Sequence, residues 1–243
     1  MGSCFRRMGS LRFRGLEERR LKKPMKHPVI TNQKIVDKVV SRRGRLHAFE
    51  SIRPENTALV VVDMMRASVD NDPQCQAIIP SINRLAQKLR DKRGAVAWVT
   101  VRSEQIWDNH VAVFGEEIAQ TFHERAQADD SRSRLPNSLT TCYSDIHASK
   151  LGFSAFFPGR SDLHEQLEGR GIDTVLICGT VTNVCCESSA RDAVELGYRV
   201  IMVSDLNVGH GHGLHEAALT TFYRTFGDVR PLKEVVQLLA GKD

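Results

Sequence analysis

From residue 57 onward, short apolar runs alternate with segments whose apolar residues recur at helical spacing. The runs lie at residues 58–63, 95–101, 174–178 and 199–203, with weaker ones at 145–149 and around Val229. Between them, residues 79–92 carry Ile82, Leu85 and Leu89 on one helical face. Residues 162–170, 184–196, 214–225 and 231–239 also read as helices, and Gly94, Gly171 and Gly197 stand near three of the helix ends. The runs are apolar throughout rather than alternately polar, so both of their faces are expected to be buried. Strands of that kind, separated by helices, predict an α/β fold with a parallel sheet and helices on both faces. In such sheets the ligand site forms at the carboxyl ends of the strands. Residues 103–144, with Pro136, read as polar and irregular.

The chain divides into a basic leader (1–26), an arm (27–55) and the alternating body (56–243). Residues 1–50 hold 14 Lys and Arg against 4 Asp and Glu, and the rest holds 20 against 25. The positive charge thus lies in the first 50 residues, ahead of a mildly acidic remainder, and a nucleic-acid surface spread over the folded body is not expected. The leader lacks an apolar stretch of the ~7–15 residues that a secretory signal needs. Its start, Met1-Gly2-Ser3-Cys4, has the look of an acylation site, but Arg6 stands where Ser or Thr is required. It is Arg-rich like a transit peptide, yet it carries Glu17 and Glu18. A disordered tail, or an upstream start ahead of Met8 or Met25, is the expectation. In the arm, Ile35, Val36, Val39 and Val40 are spaced like one helix face, to be packed on the body or on a second subunit. No apolar run approaches the ~18 residues of a membrane span. At 243 residues a core needs neither disulfides nor metals. Six cysteines, without a CxxC pair, fit reduced thiols and a cytoplasmic setting.

Three residues fall where a site should form. Asp63 ends the first strand, Lys150 ends the third, and Cys185 follows the fourth. A cysteine in the first turn of a helix meets free backbone N–H groups and the positive dipole end, which favour thiolate. The same N–H groups can hold an oxyanion. An acid can take the thiol proton, and a lysine can fix that acid. Each residue also has a structural alternative: Asp63 as a turn cap, Lys150 as a surface charge, Cys185 and Cys186 as small core residues.

The stretch Lys150-Leu151-Gly152-Phe153-Ser154-Ala155-Phe156, then Gly171-Ile172-Asp173-Thr174, then Gly179-Thr180-Val181-Thr182-Asn183-Val184-Cys185-Cys186-Glu187-Ser188-Ser189-Ala190-Arg191-Asp192-Ala193, resembles the isochorismatase-like cysteine hydrolases. Gly197-Tyr198 and Ser204-Asp205 continue the likeness, which covers residues 56–240. The resemblance implies a three-layer αβα sandwich around a Rossmann-like, six-stranded parallel sheet. It implies a triad of Asp63, Lys150 and Cys185, a cis peptide at Thr180–Val181, and an oxyanion hole from the N–H groups of Val181 and Cys185. It places the chain on the amidohydrolase branch, near the N-carbamoylsarcosine and ureidoacrylate amidohydrolases, as a homo-oligomer without a cofactor.

Two departures narrow the substrate. Relatives often read Asp-Met-Gln-Asn-x-Phe after the first strand, whereas this chain reads Asp63-Met64-Met65-Arg66-Ala67-Ser68 and lacks that aromatic wall. Nicotinamidases carry an Asp-x-His metal motif where this chain has Val99-Thr100-Val101-Arg102-Ser103. Isochorismatases proper lack the cysteine. Arg102 is a candidate for a substrate carboxylate or ureido oxygen, and Trp107, Phe153 and Phe157 are candidates for the pocket wall. Arg42-Arg43-Gly44-Arg45 reads as a solvated turn. The expected activity is hydrolysis of a linear C–N bond in a small amide, carbamoyl or ureido compound through a thioester on Cys185. The alternatives are a catalytically silent binding or assembly protein and a metal-dependent hydrolase using His210, His212 and His215.

Overall fold

The computed structural model describes residues 29–241, so the readings of the leader at 1–26 lie outside the described residues. In chain order the helices are α1 (Gln33–Arg43), α2 (Arg66–Val69), α3 (Pro73–Asp91), α4 (Asp108–Phe114), α5 (Glu116–Arg125), α6 (Leu163–Glu168), α7 (Glu187–Glu195), α8 (His212–Thr225) and α9 (Leu232–Ala240). The strands are β1 (Thr57–Val62), β2 (Ala95–Val101), β3 (Ile146–Lys150), β4 (Thr174–Thr180), β5 (Arg199–Val208) and β6 (Asp228–Arg230). They form one parallel sheet in the order β3-β2-β1-β4-β5-β6. The chain first builds outward through β2 and β3, then returns to the other side of β1 with β4. The reversal leaves a crevice between the carboxyl ends of β1 and β4.

Because strand side chains alternate, each strand feeds two cores. Val60, Val62, Val99 and Ile177 pack with α1, α6, α7 and α8 on one face. Leu59, Val61, Trp98 and Leu176 pack with α3 and α9 on the other. This is the three-layer αβα sandwich expected from the uniformly apolar strands.

Helix α1 starts where the Asn32 side chain accepts a hydrogen bond from the Ile35 amide, and it ends at Gly44 with φ 75°. It buries Val36 and Val39, packs Ile35 and Val40 against the same core, and lies on α8. The Tyr223 hydroxyl on α8 donates to the Leu46 carbonyl at 2.7 Å, and Arg42 reaches the Arg224 carbonyl at 2.6 Å. Full burial of one valine is worth ~1.5–3 kcal/mol. Val36→Ala combined with Val39→Ala therefore lowers unfolding stability by about 2–4 kcal/mol, read by urea denaturation.

The structure differs from the sequence expectation in three places. Residues 103–144 are not irregular, since they hold α4, α5 and a short 3₁₀ turn at Ser131–Ser133. These helices bury only Ala119 and leave Val113, Ile118 and Phe122 exposed, so they carry no clear core stripe. Strand β5 runs five residues beyond 203, through a register irregularity opposite Ile177 and Gly179. There the Asn207 side-chain amide donates to the carbonyls of Ile177 (3.0 Å) and Val203 (2.7 Å), and Asp205 caps α9 through the Leu232 amide (2.7 Å). Polar residues in these roles disguise a strand. Finally, the helix expected at 184–196 begins as a π-helical turn, Thr182–Cys186, ahead of α7.

Candidate active site

Three strand ends converge beside the crevice. Asp63 follows β1 with φ 53°, a left-handed conformation that Asp tolerates better than most residues, so the chain turns sharply off the strand. Its amide is held by the Val99 carbonyl at 2.9 Å. Gly179 lets β4 pass close by: a Cβ there would lie 2.0 Å from the Val62 carbonyl oxygen, and its φ is 121°. The peptide Thr180–Val181 is cis, and the π turn then presents Cys185. Wide turns of this kind are frequent at functional sites.

Lys150 is fully buried at the end of β3. Its Nζ lies 3.0 Å from Asp63 Oδ2 and 3.4 Å from Cys185 Sγ, and it donates to the Gly152 carbonyl at 2.7 Å. Asp63 Oδ1 is buried and has no hydrogen-bond partner. Burial pushes the Cys185 thiol up to about 12, the Asp63 charge adds to that, and Lys150 opposes it. Burial thus opposes the thiolate that the helix start favours. Burial works against the Lys150 charge, but the Asp63 carboxylate and Cys185 outweigh it and raise the ammonium above its ordinary value. Cys186 points away into the core and is wholly buried.

Cys185 and Lys150 line a cavity of about 420 Å³, together with Val181 and Val184. Arg102, Trp107 and Phe153 also line it. Phe157 does not; it lines a neighbouring cleft beyond Trp107 and Phe153, where the Arg160 guanidinium stacks on Trp107 at 4.6 Å. The aromatic wall lacking at Ser68 comes from another segment, because α4 and α5 supply Phe114 and Phe122. Ile106, His110, His123 and Arg125 from the same segment line the cavity too. The sequence reading missed this cover. Its one signal was end chemistry, with Glu116 and Glu117 opening α5 and His123 and Arg125 closing it.

The three histidines near residue 210 part company. His210 lines the cavity. His212 is exposed and sits 3.6 Å from Glu216. His215 Nδ1 shares a hydrogen bond with the buried Thr182 hydroxyl at 2.9 Å. Among the described residues no three His, Cys, Asp or Glu side chains gather as a metal site.

The family model described as "Isochorismatase domain" matches residues 57–234. YwoC, an uncharacterized isochorismatase family protein of Bacillus subtilis (strain 168), is 30% identical over 75% of this chain and 94% of its own length. The ureidoacrylate amidohydrolase RutB of Stutzerimonas stutzeri (strain A1501) is 27% identical over 78% of this chain and 85% of its own. A cysteine hydrolase from Pseudomonas syringae pv. phaseolicola 1448A superposes with a TM-score of 0.71 at 26% identity, covering 81% of this chain and 97% of that one. With the family model matching residues 57–234 and a relative at 30% identity over 75% of the chain, the chain belongs to the isochorismatase family of hydrolases.

Proposed function

We propose that this protein is a cysteine amidohydrolase that cleaves a linear C–N bond in a small amide, carbamoyl or ureido compound. The observation that carries this reading is the position of Lys150 Nζ, 3.0 Å from Asp63 and 3.4 Å from Cys185 at one end of an apolar cavity. The amidohydrolase named among the relatives supports the reaction class.

In this reading Asp63 Oδ1, the unpartnered acceptor, takes the Cys185 proton as sulfur attacks the carbonyl carbon. Proton removal during attack suits a thiol whose own pKa is high. The carbonyl oxygen becomes an oxyanion held by the N–H groups of Val181 and Cys185. The C–N bond breaks, and Asp63 returns the proton to the leaving nitrogen, so ammonia or an amine departs and an acyl thioester remains. Water then gives a proton to Asp63 and attacks the thioester. The acid leaves, and the proton returns to sulfur. Lys150, 3.0 Å from Oδ2, keeps the Asp63 carboxyl group aimed throughout. The cavity and the two-step exchange need only these side chains and backbone donors.

The test is ammonia release from a panel of small amides, carbamoyl and ureido compounds, run with and without a strong chelator. The account predicts turnover of at least one class, unchanged by the chelator. Activity lost to the chelator and restored by metal would move the mechanism to the histidines around His210. Silence across the whole panel, from folded protein, would favour a binding protein.

A further inference from the structure

Behind the reacting groups a buried threonine meets a histidine, and neither side chain is among those that line the cavity. Thr182 opens the π turn Thr182–Cys186 and is fully buried, so its hydroxyl depends on a partner within the protein. That partner is His215, near the start of α8, whose Nδ1 lies 2.9 Å from Thr182 Oγ1. Helix α8 packs against the turn. The chain between β5 and α8 closes down over the pair. A Cβ on Gly209 would lie 3.1 Å from His215 Cβ and 3.3 Å from Thr182 Oγ1, and the Gly211 carbonyl accepts from the His215 amide at 3.2 Å. Within the turn, the Val181 carbonyl accepts from the amides of Val184 (3.0 Å) and Cys186 (3.2 Å), and the Thr182 carbonyl accepts from the Glu187 amide. Thr182 therefore stands between Val181 and Cys185, the two oxyanion donors of the proposed reaction. A π turn is a rare conformation, so the side chain that anchors it bears on where Cys185 points.

We propose that His215 is a positioning residue for Cys185: by holding the Thr182 hydroxyl it fixes the turn that carries the nucleophile and both oxyanion donors. His215 touches no reacting atom, and its effect passes through Thr182 and the backbone. Its part in turnover rests on the amidohydrolase reading, but the anchoring of the turn does not.

The experiment uses the full chain and two readouts. The first is kcat and KM for ammonia release. Thr182→Val and His215→Leu each lower kcat by about 10- to 100-fold and leave KM within about threefold, the scale for reacting groups misplaced by up to ~1 Å. The double variant loses no more than either alone, because both remove the same bond. Thr182→Ser keeps the hydroxyl, and His215→Asn offers an amide where Nδ1 stood, so both recover most of kcat. Thr182→Val matches the native side chain in shape, which guards against a variant that merely fails to fold. The second readout is hydrogen exchange, by mass spectrometry, in peptides spanning residues 181–187. Exchange there rises roughly tenfold in Thr182→Val and His215→Leu, the scale of one lost hydrogen bond, while β1 exchanges as in the wild type. If the wild type hydrolyses nothing but this exchange pattern stands, the amidohydrolase reading fails and the anchor holds. Unchanged exchange in the turn overturns the proposal. So does an active enzyme in which exchange rises without a fall in kcat, or in which His215→Asn and Thr182→Ser recover nothing.

Discussion

If Cys185 is the nucleophile proposed above, Cys185→Ala and Cys185→Ser are expected to lose turnover by at least ~10⁴-fold, the scale for removal of a catalytic nucleophile, while Cys186→Ala is expected to keep most of it. Adjacent helical residues point about 100° apart, so only one of the two thiols can face the crevice. Cys185 borders the cavity and lies against Lys150, whereas Cys186 is wholly buried among Ala190, Ala193 and their neighbours. Truncating Cys186 leaves a small void, which lowers stability modestly without touching the reacting groups. Steady-state ammonia release and a thermal melt on each variant separate the two effects. A Cys186 variant that is folded but inactive, beside an active Cys185→Ala, contradicts the assignment.

The second large effect lies in the buried pair. Asp63→Asn keeps the shape of the side chain but removes the proposed base, and it is expected to lower kcat by at least ~10²-fold. Lys150→Ala costs a comparable factor. Lys150 is also fully buried, so its removal leaves the Asp63 carboxylate without its cation and lowers stability by about 3–5 kcal/mol. The double variant Asp63→Asn, Lys150→Met removes both charges and regains stability relative to Lys150→Ala, yet stays inactive. Denaturant unfolding beside kcat distinguishes a catalytic pair from a merely structural one. Full activity in Asp63→Asn removes the carboxylate from the mechanism.

Much of this architecture is written in local pattern. Val60, Val61 and Val62 belong to an uninterrupted apolar run, which is how a strand buried on both faces reads, and β1 and β4 fall within a residue or two of the expected runs. Asp63, Lys150 and Cys185 stand at strand ends in the sequence, and their convergence follows from parallel strands sharing one carboxyl edge. What the sequence does not display is whatever depends on neighbours distant in the chain. The environment of Cys185 is one case: the helix start is local, but the burial that pushes its thiol up comes from the packed site. The cover of α4 and α5 is another. Its apolar residues face a cavity and solvent rather than a core, so Phe114 and Phe122 give no helical stripe against polar neighbours.

The central claim, a covalent acyl intermediate on Cys185, is tested most directly by acid-quenching the enzyme during turnover of its best amide. Intact and peptide mass spectrometry then locate any adduct. The account predicts a mass increase equal to the acyl group, confined to the peptide bearing Cys185 and Cys186, present in Cys186→Ala and absent in Cys185→Ala. An adduct that persists in Cys185→Ala, or turnover at the wild-type rate by that variant, contradicts it.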